Sequence, residues 1–218
     1  MLLPALNAAR EKARSASCIN QQKQLGLGFN MYLGDYESYY PNYFAGGGVE
    51  YWSNYLLTGG YAQKSSFKCP TLTSDLQDKY YVNDVLDDSA PIAVGRKNGL
   101  KTPGYGYNYR YVGSKIAALG GTGSDKMFVK QSEFKYPGRV FLTVDSLDKD
   151  KKTGHYRVHE SYNSASSVGD IDPRHGGRAN FLLGDGHVEP AMVSLPLGVT
   201  TTLAQIKQQL PNYDSGMP

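Results

Sequence analysis

The longest stretch with a helical pattern of hydrophobic residues runs from Leu2 to Leu33. It is rich in Ala, Leu, Gln, Lys, Arg and Glu, all of which are good helix formers. Gly34 follows directly, and glycine is the residue favoured just beyond the C-terminus of a helix. This pattern predicts one long helix at the start of the chain.

The apolar residues of this helix do not keep to one face. At about 100° per residue they form two groups that point in nearly opposite directions, and the direction changes near Ser17. The first group is Leu2, Leu6, Ala9, Ala13 and Ala16, and the second is Cys18, Leu25, Phe29 and Tyr32. A helix that packs on a single core has no reason to change direction. We therefore expect the second half to pack on a globular domain and the first half to face another molecule.

The first group consists mostly of alanines, which permit the close approach of a second helix. Arg10, Glu11, Lys12 and Arg14 are interleaved with them and lie on the other side of the helix. The pattern therefore predicts an assembly face formed by Leu6, Ala9, Ala13 and Ala16. A surface helix with a shallow alanine stripe is the alternative interpretation.

After the helix, the pattern predicts short elements separated by long loops. Residues 71–104 are polar and show little periodicity, and no internal repeat is visible. The predicted elements are a short helix over Trp52–Leu57 and strands over Ser66–Cys69, Tyr105–Val112, Arg139–Val144 and residues 155–159.

A β-hairpin is the clearest local structure near the end of the chain. Asn180–Leu183 and His187–Val188 flank Asp185-Gly186, a pair that favours a two-residue type I′ turn. In that register Leu183 lies opposite Val188, so that Phe181, Leu183 and Val188 share the face that covers the core.

Composition limits the possible classes of protein. The chain has 218 residues, of which 40% are hydrophobic, with 18 tyrosines, 25 glycines and 11 prolines. This predicts a single domain, or a domain plus a stem, with a tyrosine-rich core and many turns. The net charge of +3 comes from scattered residues and does not indicate a nucleic-acid surface.

Histidines and aspartates suggest metal or acid–base chemistry, but their spacing argues against it. His155 and His159 lie on a predicted strand, which would separate their rings by about 13 Å. His175 and Asp185 would be separated by up to about 30 Å along an extended chain, unless it reverses at Gly176-Gly177. We therefore predict no catalytic, cofactor or metal residues.

Two further candidates are weak for similar reasons. Asp145, Asp148 and Asp150 lack the spacing and the closing Glu of a calcium loop, although calcium remains an alternative. A cysteine nucleophile is not expected, because no local motif of His plus carboxylate accompanies Cys18 or Cys69.

Motifs at both ends of the chain resemble those of type IV pilin-like proteins (pseudopilins). The opening LLPALNAAREKARSASCINQQKQLGLGFNMY with the following YESYYPNY looks like the start of such proteins. The narrower resemblance is to a bacterial group with a C-terminal His-x9-Asp-Gly signature, which is present here as His175, Asp185 and Gly186. Between the ends, FKCP, YGYNY and GRVFLTVDS continue the resemblance more loosely.

The resemblance implies an α+β, pilin-like fold: a long N-terminal helix packed on an antiparallel β-sheet with long loops. It divides the chain into a helical stem, residues 1–34, and a globular head, residues 35–218. The stem would be the C-terminal half of a longer pilin helix. Since cysteines occur at equivalent places in relatives, a disulfide between Cys18 and Cys69 is also implied if the head is exported.

The implied function is that of a non-enzymatic structural subunit of a type II secretion pseudopilus or a type IV pilus-like fibre. Its partners would be other pilin-like subunits, bound through the N-terminal helix, and the secretion or pilus assembly machinery. The resemblance also implies an upstream leader and an apolar segment, which would anchor the exported head in the inner membrane. The head would then lie in the periplasm or at the cell surface.

Two alternatives belong to other classes. A tyrosine-rich face could make the chain a cell-surface module that binds glycans, which would require three or more exposed tyrosines together. A metal-dependent hydrolase would require at least three of the His and Asp side chains to converge.

Overall fold

The computed structural model describes residues 2–45, 50–72, 103–109, 111–114, 128–148, 153–158 and 169–193. The helices are α1 (Leu2–Asp35) and α2 (Trp52–Thr58). The strands are β1 (Phe44–Ala45), β2 (Glu50–Tyr51), β3 (Tyr105–Asn108), β4 (Phe141–Leu147), β5 (Arg157–Val158), β6 (Asp170–Ile171), β7 (Arg178–Leu183) and β8 (Val188–Met192). The fold is α+β, with a long N-terminal helix on a mixed sheet.

Helix α1 is divided between the head and solvent as its apolar pattern predicts. Residues 4–14 are all exposed. From Cys18 onwards one side of the helix is buried, and Cys18, Leu25, Phe29 and Tyr32 are each 5% exposed or less. With a rise of about 1.5 Å per residue, the exposed part projects about 16 Å beyond the head.

An aromatic cluster joins α1 to the head. The ring of Phe29 is nearly parallel to those of Trp52 and Tyr107, at centroid distances of 5.6 and 5.7 Å. Trp52 and Tyr107 also stack on each other at 5.2 Å. The indole N–H of Trp52 donates a hydrogen bond to the backbone carbonyl of Tyr156, so this buried ring leaves no polar atom unpaired.

The main sheet is mixed, whereas an antiparallel sheet was expected. Its strand order is β5-β3-β4-β7-β8, with β6 also paired to β4. All pairs are antiparallel except β3 and β5. The chain reverses after β4, where Asp148 bridges Thr153. Because both edges of β4 are already paired, the returning strand pairs with the free edge of β3, and its direction is then parallel to β3.

Both faces of the sheet are buried. The cluster on the helix side contains Phe29, Trp52 and Tyr107, and the one on the opposite side contains Phe141, Val144 and Phe181. A register shift between Phe141 and Thr143 reverses the faces of the sheet to which the later side chains of β4 point. Phe141 therefore belongs to the opposite side, while the Thr143 hydroxyl reaches Gln22 of α1.

The strand predicted at Ser66–Cys69 is a 3₁₀ turn over Lys64–Phe67. The Lys68 N–H donates to the Ser65 carbonyl, which closes the turn locally. The predicted strand at Tyr105 is shorter than expected and ends at Asn108. There the Asn108 carbonyl accepts the N–H of Val112 and starts a turn.

The terminal hairpin is present, but the predicted turn and register are wrong. Leu182 pairs with Val188, one residue away from the expected register. The Leu183 carbonyl accepts the Gly186 N–H, and the Leu183 N–H donates to the His187 carbonyl, each at 2.9 Å. Only Gly186 has a positive φ, of 89°. This is a type I turn with a glycine bulge, because a type I′ turn would need a positive φ at Asp185 as well.

The one-residue shift places Val188 on the other face of the hairpin from the one expected. Leu182 lies in the cluster on the helix side, with Val188 packed against it. Phe181 and Leu183 lie in the cluster on the opposite side. Phe181 and Leu183 therefore share a face as expected, whereas the expected position of Val188 on that face is wrong, as a shift of one residue in the pairing requires.

Replacing Phe29 with Ala should lower the free energy of unfolding by about 3–5 kcal/mol, because the substitution leaves a cavity among stacked rings. Leu27→Ala on the same helix is the control, since Leu27 is 65% exposed and should change stability by about 0.5 kcal/mol or less. Urea denaturation of both variants checks this. Equal losses would show that α1 does not use the face around Phe29 to pack on the head.

Stability should fall at alkaline pH, because burial raises the pKa of Tyr32 and of Tyr156 to about 12. In the unfolded chain these hydroxyls lose their protons near pH about 10. Between pH about 10 and about 12 the folded chain therefore binds more protons than the unfolded chain. The stabilisation from these hydroxyls is fully present below pH about 10 and declines as the pH rises to about 12. Urea midpoints across this range measure the decline. Tyr32→Phe should make it shallower, and an unchanged decline would contradict this explanation.

Candidate functional site

The exposed side of α1 carries two groups of apolar residues that point in the same direction and are separated by the exposed Asn20 and Gln24. Leu6, Ala9, Ala13 and Ala16 are all exposed. Leu27 and Met31 lie in the same direction at about 100° per residue and are 65% and 53% exposed. We call these six residues the apolar stripe. The sequence pattern predicts an assembly face only on the first half of the helix, and the structure shows exposed apolar side chains in the same direction on the second half.

The stripe is opposite to the buried side of α1. The helical wheel places it about 180° from the line through Cys18 and Phe29. Arg10 and Lys12 flank the stripe, and Arg14 forms an ion pair with Glu11 at 2.7 Å on another side of the helix. The stripe itself carries no charge, so a second apolar surface could cover it without burying an ion.

A disulfide joins Cys18 of α1 to Cys69, as the resemblance implied. The two Cα atoms are 5.4 Å apart, and both residues are fully buried. Cys18 is the first fully buried residue of α1, so the bond lies where the helix enters the head. A loop of about 50 residues closed in this way stabilises the folded state by about 4 kcal/mol, through the lower entropy of the unfolded chain.

Two ionisable side chains lie against this disulfide. His175 Nε2 is 3.7 Å from Cys69 Sγ and 3.5 Å from Asp145 Oδ2. One ligand-type atom from each of Cys18, Cys69, Asp145 and His175 lies within 4.8 Å of all the others. We call these four residues the Cys–Asp–His cluster. Within the described part of the chain, it is the only group of at least three Cys, His, Asp or Glu side chains that converges in this way.

Two local features of the backbone form the cluster. The chain reverses at Gly176 and Gly177, whose φ values are 65° and 82°, and His175 and Arg178 exchange two hydrogen bonds across them. This turn, which places His175 at the start of β7, has the positive φ pair of a type I′ turn. The register shift in β4 then turns Asp145 to the same side as α1.

The arrangement is not a nucleophile–base–carboxylate triad. In such a triad the imidazole uses one ring nitrogen for the nucleophile and the other for the carboxylate. Here Nε2 of His175 faces both Cys69 and Asp145, while Nδ1 has no hydrogen-bond partner. The side chains of His175 and Asp145 are 2% and 0% exposed, so a substrate has no direct access to them.

Further charges surround the cluster. Asp145 Oδ2 accepts the backbone N–H of Asn180 at 2.7 Å. Arg174 Nε lies 3.0 Å from Asp172 Oδ2, and its guanidinium also donates to the Ser146 carbonyl. Burial raises the pKa of Asp172, with Asp145 adding to this effect, whereas Arg174 and His175 oppose it.

The cluster corrects two sequence interpretations. A cysteine accompanied by a histidine and a carboxylate was not expected, because no local motif suggested one. The three partners of Cys69 instead come from α1, β4 and the turn before β7. Asp145 had been grouped with Asp148 and Asp150, yet it is fully buried beside His175.

The other candidate residues lie elsewhere. Asp185 forms a close contact with His187 Nδ1 at 2.6 Å, both on the exposed tip of the hairpin. His175 faces Asp145 instead of Asp185, so the signature residues do not form a pair with each other. His155 is buried, and its Nδ1 lies 2.9 Å from the Arg157 carbonyl. His159 and Asp150 lie outside the described residues.

The exposed tyrosines are dispersed. Tyr36, Tyr39 and Tyr136 are at least 36% exposed. Tyr36 stacks on Tyr32 at 4.2 Å, whereas Tyr39 contacts Phe128 and Tyr136 contacts Arg139. Among the described residues, no ring contact joins two of these three exposed tyrosines.

The helices in the described part of the chain are too short or too polar to cross a bilayer. This includes α1, whose 34 residues are interrupted by charged and amide side chains.

Comparison with known proteins finds a similarity for the N-terminal part of the chain. A family model described as a protein of unknown function (DUF1559) matches residues 7–58, which cover most of α1 and all of α2. No curated protein and no solved structure matches the chain. The N-terminal part of the chain is therefore similar to this family.

Removing the disulfide should lower the free energy of unfolding by about 4 kcal/mol. The Cys18→Ser and Cys69→Ser double variant, compared with the parent by urea denaturation, measures this difference. Dithiothreitol added to the parent should reproduce the loss and should not affect the double variant. Equal stability of parent and double variant without reductant would contradict a structural role for the bond.

Proposed function

We propose that this protein is a structural subunit of a pilin-like fibre or pseudopilus, which assembles through the apolar stripe of α1. The observation that carries the proposal is the division of α1 into two opposite apolar sides. One side is buried against the sheet, and the other carries exposed apolar residues between Leu6 and Ala16 and again at Leu27 and Met31. A helix that served only its own head would not need the second apolar side.

The energetics favour a helix or another apolar surface as the partner. Leu6, Leu27 and Met31 are 47%, 65% and 53% exposed. Covering such a side chain completely contributes about 1.5–3 kcal/mol relative to leaving it exposed. The alanines between them would allow the partner to approach closely, and the flanking Arg10 and Lys12 could remain in water. The stripe therefore suits repeated contacts between copies of α1.

Two other observations support this role. The family model matches residues 7–58, which include most of the segment whose sequence resembles the start of pilin-like proteins. In addition, Cys18–Cys69 fixes α1 to the head at the point where the helix emerges, which an assembled stem requires if it is to carry the head. The sequence resemblance leads us to propose a non-enzymatic subunit that is exported and anchored in the inner membrane.

Ala13→Glu should prevent assembly without destabilising the head. Ala13 is exposed and lies in the stripe, so the new carboxylate stays in water in the monomer but becomes buried and unpaired in a helix–helix contact. We expect an unchanged melting temperature and a loss of fibres when the native gene carrying the substitution is expressed in its host. Sheared surface fractions, probed with an antibody to the head, measure assembly.

Ala8→Glu is the matched control. Ala8 is also exposed on the same part of α1, but it lies about 140° from Ala13 around the helix. It should leave both the melting temperature and assembly unchanged. Loss of assembly in both variants, or in neither, would contradict an interface centred on the stripe. A fall in the melting temperature of Ala13→Glu alone would show that the stripe belongs to the core of the head.

A further inference from the structure

We propose that the Cys–Asp–His cluster is a zinc site when its disulfide is reduced. Cys18, Cys69, Asp145 and His175 would supply two thiolate sulfurs, one carboxylate oxygen and one imidazole nitrogen. Four-coordinate sites of Cys, His and carboxylate ligands are typical of Zn²⁺. This inference does not depend on the assembly role, because the cluster lies inside the head and the stripe lies outside it.

The spacing of the ligand atoms fits a tetrahedral ion. For Zn–S of about 2.3 Å and Zn–N or Zn–O of about 2.0–2.1 Å, the edges of the tetrahedron are about 3.6 Å from S to N and 3.3 Å from N to O. The corresponding distances are 3.7 Å from Cys69 Sγ to His175 Nε2 and 3.5 Å from His175 Nε2 to Asp145 Oδ2. These two edges therefore fit a tetrahedral ion, whereas the two sulfurs would have to separate and the remaining edges, of 4.8 Å or less, would have to adjust with them.

The cluster contains a buried polar atom that has no hydrogen-bond partner. The Asp145 side chain is fully buried, and its Oδ1 is this atom. Such unpaired buried groups are rare, and each one calls for an explanation. A divalent cation between the side chains would compensate the buried carboxylate and hold the imidazole in place.

Neighbouring groups would support the ligands. The Asn180 N–H holds Asp145 Oδ2 at 2.7 Å, which fixes the position of the carboxylate. The Tyr105 hydroxyl lies 3.3 Å from Cys18 Sγ and 2.8 Å from Gln21 Oε1. Hydrogen bonds of this kind to the ligands are typical of protein metal sites.

The disulfide and the metal site exclude each other. A phosphine reductant such as tris(carboxyethyl)phosphine transfers two electrons to the S–S bond, gains an oxygen atom from water and leaves two thiols. Zinc binding to the two thiols then releases two protons. The bound site has two thiolates, one carboxylate, a neutral imidazole and Zn²⁺, so its net charge is −1. A disulfide reagent such as oxidised glutathione accepts two electrons from the two thiolates and is itself converted to two thiols by taking up two protons. The S–S bond of Cys18 and Cys69 is then formed again, and the ion is released.

Cobalt titration of the full chain tests the site. The phosphine-reduced protein, freed of reductant under nitrogen, should bind one equivalent of Co²⁺. The bound ion should show the sulfur-to-cobalt charge-transfer band and the intense visible bands of tetrahedral coordination, and Zn²⁺ should abolish both. The disulfide-bonded protein should show neither band. Absence of the bands in the reduced protein would overturn the proposal.

Matched variants test the two ligands that are not cysteines. His175→Gln and Asp145→Asn should each weaken Co²⁺ binding by at least about 10-fold. His187→Gln and Asp185→Asn make the same substitutions at an exposed pair and should leave binding unchanged. Unchanged binding in both His175→Gln and Asp145→Asn would overturn the proposal, because two cysteines alone would then account for the ion. Circular dichroism shows whether His175→Gln and Asp145→Asn are folded. If one of them is not, Co²⁺ binding by the other variant tests the proposal.

Discussion

The packing of Phe29 between Trp52 and Tyr107 is the contact on which the rest of the molecule depends. These rings belong to α1, α2 and β3, so a single stack joins both helices to the sheet. Because this stack fixes the rotation of α1 about its own axis, it also determines which residues of the helix remain outside. The exposed position of Leu27 and Met31 is a direct consequence of the buried position of Phe29.

The second constraint is the placement of a carboxylate inside the head. Asp145 is fully buried, and a buried charge is tolerated only when other groups compensate it. The described part of the chain offers Asp145 one backbone N–H and the imidazole of His175. The turn at Gly176 and Gly177 is therefore more than a connection between β6 and β7, because it brings the compensating side chain to the aspartate.

Local patterns predicted what depends on local physics. The range of α1, its buried face and the existence of α2 and of the hairpin follow from periodicity and turn residues between Leu2 and Val188. The register of the hairpin did not follow, because Asp-Gly is compatible with two turn types that differ by one residue in pairing. The parallel position of β5 depends on which strand edge is free, and this is a property of the whole sheet.

The Cys–Asp–His cluster could not be predicted from the sequence for a related reason. Its members come from α1, from the segment after α2, from β4 and from the turn before β7. No spacing rule connects side chains that are separated by so many residues. One clue was present in the sequence, since Gly176-Gly177 was recognised as a possible reversal. The register shift in β4, which turns Asp145 towards α1, left no such signal.

The position of Cys18 has a mechanical consequence. A force that pulls on α1 along its axis is transmitted to the head first at this residue. Residues 4–14 are exposed and do not pack on the sheet. At Cys18 the load passes into a covalent bond to Cys69, which is far stronger than the contact of the Tyr105 hydroxyl with Cys18. Tension applied to the stem is therefore borne by the bond instead of peeling the helix from the core one turn at a time.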